Sequence, residues 1–161
     1  MATYFMNTSA LVKRFHYEAG SRWVRTIFAA AVPNENETRH VIYVCGLSIV
    51  EVPAALAILE RTRELTLELR DELYRTFLAT RQTELIVVPI IDAILSQAAA
   101  LTQRHPLKAY DAVQLASALD LQNTLREFDI NLVFVASDNQ LLRAAQAEGL
   151  QVENPESYPN P

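Results

Sequence analysis

Four side chains in this chain stand where chemistry is most easily done. Asn7 directly follows the apolar run 3–6, and Asp138 follows the apolar run 132–136 closely. Both runs read as buried strands, so both side chains project from the carboxyl edge of a sheet, where they can be neighbours. Each also suits a simpler role, Asn7 as a turn residue or helix N-cap and Asp138 as an N-cap before Leu141 and Leu142. Glu51 lies in Ser48-Ile49-Val50-Glu51, a spacing that fits a capping box. Asp111 shares a helical face with Leu107, Leu115 and Ala118. A carboxylate on an apolar stripe needs a partner. Lys108, one turn earlier, offers one through a salt bridge; a metal ion offers another. Carboxylates gathered in one place repel by about 4 kcal/mol per pair at roughly 4 Å and an effective dielectric of about 20, so a cluster calls for a cation. Ligands that are all oxygen suit Mg²⁺ or Mn²⁺, which retain waters and use few carboxylates.

The elements that must position these groups alternate in type. The run 3–6 leads through Asn7-Thr8-Ser9 into helical spacing over 10–15, and a second helix is expected over 21–31. Pro33-Asn34-Glu35-Asn36-Glu37 reads as a loop. Residues 41–45 read as a buried strand, Ser48 as the cap of a helix reaching about Arg63, and Leu65, Leu69, Leu73 and Phe77 mark another helix. A third strand over 85–88 stops at Pro89, a helix runs from Asp92 to Gln103, and Pro106 separates it from a helix opening near Leu107. After the strand 132–136 come a helix from Ser137-Asp138 to Glu148, a stop at Gly149 and a short strand over 150–152. The expected fold is an α/β three-layer sandwich with a central parallel sheet of four or five short strands. A single domain over 1–154 and a frayed tail over 155–161 are expected.

Composition narrows the function. With 161 residues, half of them hydrophobic, the chain can bury a core without a disulfide, and its single Cys45 cannot form one internally. A cytoplasmic protein is expected, since the start lacks a basic leader and the apolar run near 41–50 ends at Glu51, too short for a membrane span. The net charge of −5 argues against a dominant basic surface for nucleic acid, but leaves room for a local basic rim. Lys13, Arg14 and Lys108, close in sequence to the candidate site, are the expected nucleic-acid contacts, or else ordinary solvated charges. His16, His40 and His105 make no metal-binding spacing; Cys45 reads as a packed strand residue and Trp23 as the anchor of the second helix.

Four segments together resemble the PIN-domain nucleases and, among them, the VapC-type toxins of toxin–antitoxin pairs. They are the stretch 4–13 (YFMNTSALVK), 48–56 (SIVEVPAAL), 107–116 (LKAYDAVQLA) and 135–142 (VASDNQLL). Their order and spacing over one domain carry the resemblance. It implies that Glu51, Asp111 and Asp138 are metal-binding, catalytic carboxylates, with Asn7 at the position of the first metal ligand and Ser9 hydrogen-bonding within the site. It further implies Mg²⁺- or Mn²⁺-dependent hydrolysis of RNA, a small cognate antitoxin and a homodimer. The sequence departs from the family at Asn7, where Asp is usual: an amide keeps one ligating oxygen but loses a negative charge and adds a donor, so metal affinity should fall. The alternative is a catalytically inactive PIN-like module that binds RNA or an antitoxin. A receiver-like phosphoacceptor domain is more distant, because the acidic pair usual at its first strand is missing.

Overall fold

The computed structural model describes residues 2–31 and 39–158. The expected loop at 33–37 lies outside them. Five strands, β1 (Thr3–Met6), β2 (Val41–Cys45), β3 (Leu85–Val88), β4 (Leu132–Val135) and β5 (Gln151–Glu153), form one sheet in the order β3-β2-β1-β4-β5. Every pairing is parallel. The expected three-layer α/β/α architecture is therefore the one observed. Parallel neighbours need crossovers, and seven helices supply them: α1 (Thr8–Leu11), α2 (Ser21–Ala29), α3 (Ser48–Arg61), α4 (Leu67–Thr83), α5 (Asp92–Arg104), α6 (Ala109–Arg126) and α7 (Asn139–Ala147).

Successive strand residues point to opposite faces, which divides the core in two. Phe5, Tyr43, Cys45 and Phe134 face the layer of α5, α6 and α7, where Ile94, Leu101, Leu115 and Leu141 are buried. Met6, Ile42, Val44 and Val135 face α1 to α4, meeting Leu11, Phe28, Leu56 and Phe77. Phe5 and Phe134 are register partners on β1 and β4, and their rings stack at 5.8 Å between centroids. A pair of this kind adds about 1 kcal/mol beyond the area it buries.

The connection out of β1 and the connection out of β3 run in opposite directions across the sheet. From β1 the chain builds outward through β2 to β3, then returns to place β4 on the other side of β1. Reversal of this kind opens a crevice at the carboxyl ends of the two central strands.

Two local expectations change. The first helix begins at Thr8 rather than Ala10 and passes into a 3₁₀ turn over Val12–Arg14, because the Asn7 side chain accepts the Ser9 amide proton and caps the helix two residues earlier. The segment from Pro155 is packed rather than frayed as far as Tyr158. Pro155–Ser157 makes a 3₁₀ turn, Pro155 is buried, and Tyr158 stacks on Trp23 with 4.6 Å between ring centroids. Gly20 allows this docking: its φ is +81°, and a Cβ there would lie 2.5 Å from the Pro155 carbonyl carbon. Residues 159–161 lie outside the described chain.

Candidate functional site

At the end of β1, the Asn7 amide still donates to the Val135 carbonyl at 2.9 Å, extending the β1–β4 ladder by one bond. Beyond it the strands part. Asn7 Oδ1 accepts from both the amide and the hydroxyl of Ser9, at 3.0 and 2.7 Å, and Ser9 Oγ in turn accepts from the Ser137 amide at 3.0 Å. Ser9 thus ties the end of β1 to the end of β4. Asp138 caps α7, its Oδ1 accepting from the amides of Gln140 and Leu141 at 2.7 and 3.0 Å. The capping expectations for Asn7 and Asp138 describe real bonds, and both residues also line the cleft described below.

Glu51 does not form the expected capping box. Leu47 is the N-cap of α3, without a side-chain cap bond, and Ser48 is a buried first-turn residue whose hydroxyl lies 3.1 Å from Thr8 Oγ1. Glu51 instead reaches across to α1 and α6. Its Oε2 accepts from Thr8 Oγ1 at 2.6 Å and from Gln114 Nε2, which also donates to Thr8 Oγ1 at 2.7 Å. Gln114 is fully buried and its Oε1 has no partner among the described residues. Turning the amide over would set that oxygen against a Glu51 oxygen, so Nε2 is the atom that faces Glu51.

Asp111 lies in the first turn of α6 and is half-buried. Lys108 is not its salt-bridge partner: among the described residues the two form no ion pair, and the Lys108 ammonium sits 5.8 Å over the Tyr110 ring. Burial pushes the Asp111 carboxyl up to about 6, the negative charges of Asp138 and Glu51 push in the same direction, and Lys108 offsets part of this. Desolvation and like charge both penalise the anion, and Lys108 does not make up the difference.

Asn7, Ser9, Glu51, Asp111 and Asp138 line one cleft of about 530 Å³ at the carboxyl edge of the sheet, together with Thr8, Lys108 and Tyr110 and an apolar wall of Ala54, Ala55 and Ile58. The donor set is hard oxygen, suited in kind to Mg²⁺ or Mn²⁺. As the side chains stand, no three His, Cys, Asp or Glu among the described residues form a ready coordination sphere. The bonding explains why: Glu51 spends one oxygen on Thr8 and Gln114, Asp138 spends one on capping, and residue 7 is an amide. What remains is an unneutralised Asp111 beside two carboxylates that each keep a second oxygen.

The expected basic contacts need correction. Lys13 is 2% exposed, its ammonium held by Glu156 at 3.1 Å and Glu18 at 3.3 Å, so it is a buried structural cation rather than a contact for nucleic acid. Arg14 packs its guanidinium over Phe28 at 5.3 Å, with its Nε buried. Only Lys108 of the three reaches the cleft. Thr8 and Gln114 were absent from the sequence reading. Gln114 had a signal, being a polar residue three positions after Asp111 on a face that otherwise packs inward, whereas Thr8 had none beyond its place between Asn7 and Ser9.

No curated protein matches this chain by sequence. Among solved structures it superposes on VapBC2 from Rickettsia felis, bound there to a DNA fragment from its promoter, with TM-score 0.60 and 12% identity over 94% of this chain and 98% of that one. It superposes on Mycobacterium tuberculosis VapC20, a toxin that cleaves the sarcin-ricin loop, with TM-score 0.58 and 18% identity over 91% and 95%. A toxin–antitoxin complex from Klebsiella pneumoniae gives TM-score 0.53 and 17% identity over 96% and 98%. These likenesses establish the shared fold. The PIN domain family, in contrast, matches on sequence over residues 4–147, nearly the whole chain, and it is to the PIN-domain family that the chain belongs.

Proposed function

We propose that this chain is a divalent-metal-dependent endoribonuclease of the toxin kind, acting on RNA phosphodiesters. The carrying observation is Asp111: a half-buried carboxylate without a cationic partner, held near two further carboxylates in a cleft where the sheet reverses. Carboxylates are not kept in that state to stabilise a fold, and a cation resolves the repulsion. Asp111 would be the central ligand of Mg²⁺ or Mn²⁺, with the unspent oxygens of Glu51 and Asp138 as further ligands and Asn7 Oδ1 joining them by giving up a Ser9 bond. When bound, such an ion lowers the pKa of an attacking water and offsets charge on the phosphate. The chain's own contribution is to fix Glu51 through Thr8 and Gln114, to hold Asp138 by its cap, and to set Ser9 between residues 7 and 137. Lys108 is the nearest cation for a substrate phosphate.

Support for an RNA substrate comes from VapC20, and support for a small antitoxin partner from the VapBC2 and Klebsiella complexes. Exposed Ile86, Ile90, Ile91 and Leu95, on and after the edge strand β3, offer an apolar surface for a homodimer. A cytoplasmic site of action fits that reading, and no helix among the described residues is long and apolar enough to cross a membrane. The test is cleavage of a panel of structured RNAs in Mg²⁺, Mn²⁺ or EDTA, beside Asp111→Asn and a DNA panel. Cleavage of RNA that EDTA and Asp111→Asn both abolish is expected; cleavage indifferent to both would sink the proposal.

One observation favours a second reading. Asn7 Oδ1 is already shared between two donors of Ser9, so residue 7 serves the turn whether or not a metal binds. A catalytically silent module that binds RNA or an antitoxin would keep this arrangement, and would show binding without cleavage in the same panel.

A further inference from the structure

A second hollow of about 400 Å³ adjoins the cleft, framed by His105, Pro106, Gln140, Arg143 and Ala144. From its placement we infer that it binds a backbone phosphate of the RNA strand whose cut bond lies in the cleft; the inference rests on the nuclease reading above. The two hollows have no lining residue in common, but the same two segments of the chain contribute to both. Asp138 and Gln140 stand two residues apart at the start of α7, Lys108 and Pro106 two apart on the loop before α6, and Gln140 Nε2 donates to the Pro106 carbonyl, joining the two walls.

Charge decides what the hollow takes. The cleft presents three carboxylates and one lysine, so a polyanion approaching it needs cations elsewhere along its path. Of the sequence candidates, Lys13 is withdrawn into the fold and Arg14 lies over Phe28 without lining the cleft. Beside the second hollow, Glu148 is the nearby acid, and it is spoken for: His105 Nε2 lies 2.6 Å from Oε1, and Arg104 Nη2 donates to both of its oxygens at 3.1 Å. Arg143 is exposed on α7, bonds only through Nε to its own helix at the Asn139 carbonyl, and forms no ion pair among the described residues. Its guanidinium charge is therefore uncompensated at the mouth of the hollow, with the planar donor fork that suits phosphate oxygens. A phosphate there reads no base, so it contributes position along the strand rather than sequence preference.

The experiment measures binding of a single-stranded 20-nucleotide RNA to Asp111→Asn protein by fluorescence anisotropy in Mg²⁺ across a salt series. Adding Arg143→Glu should raise Kd about tenfold and lower the slope of log affinity against log salt by about 0.7, the loss of one single-strand phosphate contact. Arg143→Lys should restore most of the affinity. Arg75→Glu, the same charge change on the exposed face of α4, is the control for the general field and should move Kd much less. Unchanged Kd and slope in Arg143→Glu would overturn the inference, as would an equal loss in Arg75→Glu. Failure of the Asp111→Asn parent to bind, together with failure of the unaltered chain to cleave any RNA, would remove the nuclease reading and this inference with it.

Discussion

Two buried charges in this molecule are treated in opposite ways. Lys13 is almost wholly enclosed, and two carboxylates, Glu18 and Glu156, are brought to it from different parts of the chain. Asp111 is half-buried, and the charges brought toward it are chiefly Asp138 and Glu51, of its own sign, which Lys108 offsets only in part. The first arrangement repays its desolvation within the protein; the second does not. A fold selected only for stability would pair both. The difference separates a charge that the fold itself neutralises from one that, on the proposed reading, a bound cation would neutralise.

The largest effect expected on that contrast is in activity. Asp111→Asn should reduce RNA cleavage by about 100-fold or more, above the 10- to 100-fold loss typical of groups that merely orient ligands; initial rates across a metal titration check it. Lys13→Met should leave Glu18 and Glu156 facing each other and uncouple the Pro155–Ser157 turn, costing about 2 kcal/mol in urea unfolding. The carboxylates are partly solvated, which places the cost below that of a fully enclosed pair. Gln114→Leu should weaken Mn²⁺ binding about tenfold with a smaller effect on unfolding, since it frees Glu51 to rotate while preserving much of the side-chain volume. Equal losses in metal binding and stability would make Gln114 an ordinary core residue.

Asn7→Asp should tighten Mg²⁺ or Mn²⁺ binding several-fold and increase cleavage, most clearly when metal is scarce. Without metal the same change adds a fourth carboxylate to the cleft and should cost about 1 kcal/mol. Thermal unfolding with and without metal reads both signs, and no change in either would mean that residue 7 lines the cleft without ligating metal. The smallest expected effect concerns pH. Because the folded Asp111 carboxyl is raised from 3.8 to about 6, the folded state holds its proton more tightly than the unfolded chain. That contribution is fully present below about pH 4 and is lost as pH rises through about 6. Discounted for solvent screening, it amounts to about 1 kcal/mol, and Asp111→Asn should remove this component from the pH dependence of apo stability.

The parts of this contrast differ in how plainly the sequence announces them. Strand positions were readable because a parallel sheet buries both faces and leaves apolar runs such as Val41–Cys45 with abrupt ends. Asp111 stood out because a carboxylate on an apolar face is locally anomalous. Lys13 was misread for the opposite reason: its burial depends on Glu156, whose distance in sequence leaves no periodic trace. The packed segment at 155–158 was missed for the same cause, since Trp23, Gly20 and Lys13 receive it from the other end of the chain. Glu51 fitted the local capping pattern, yet Thr8 and Gln114 give its carboxylate an option that Ser48 does not. Local chemistry is legible from neighbours in sequence; partnership across the fold is not.

The strand order has a bearing on how the protein is made. β1 is made well before its partner β4 and the residue Asp138 that completes the cleft, with three crossovers between the two strands in the chain. Translation adds about 5–20 residues per second, so Asn7 and Glu51 wait several seconds in a nascent chain that cannot yet close the sheet. The three carboxylates have no grouped form before α6 and α7 emerge. A chain interrupted before β4 would carry Asn7, Glu51 and Asp111 without Asp138 or the strand that places it, so the cleft closes only once these last elements have been made.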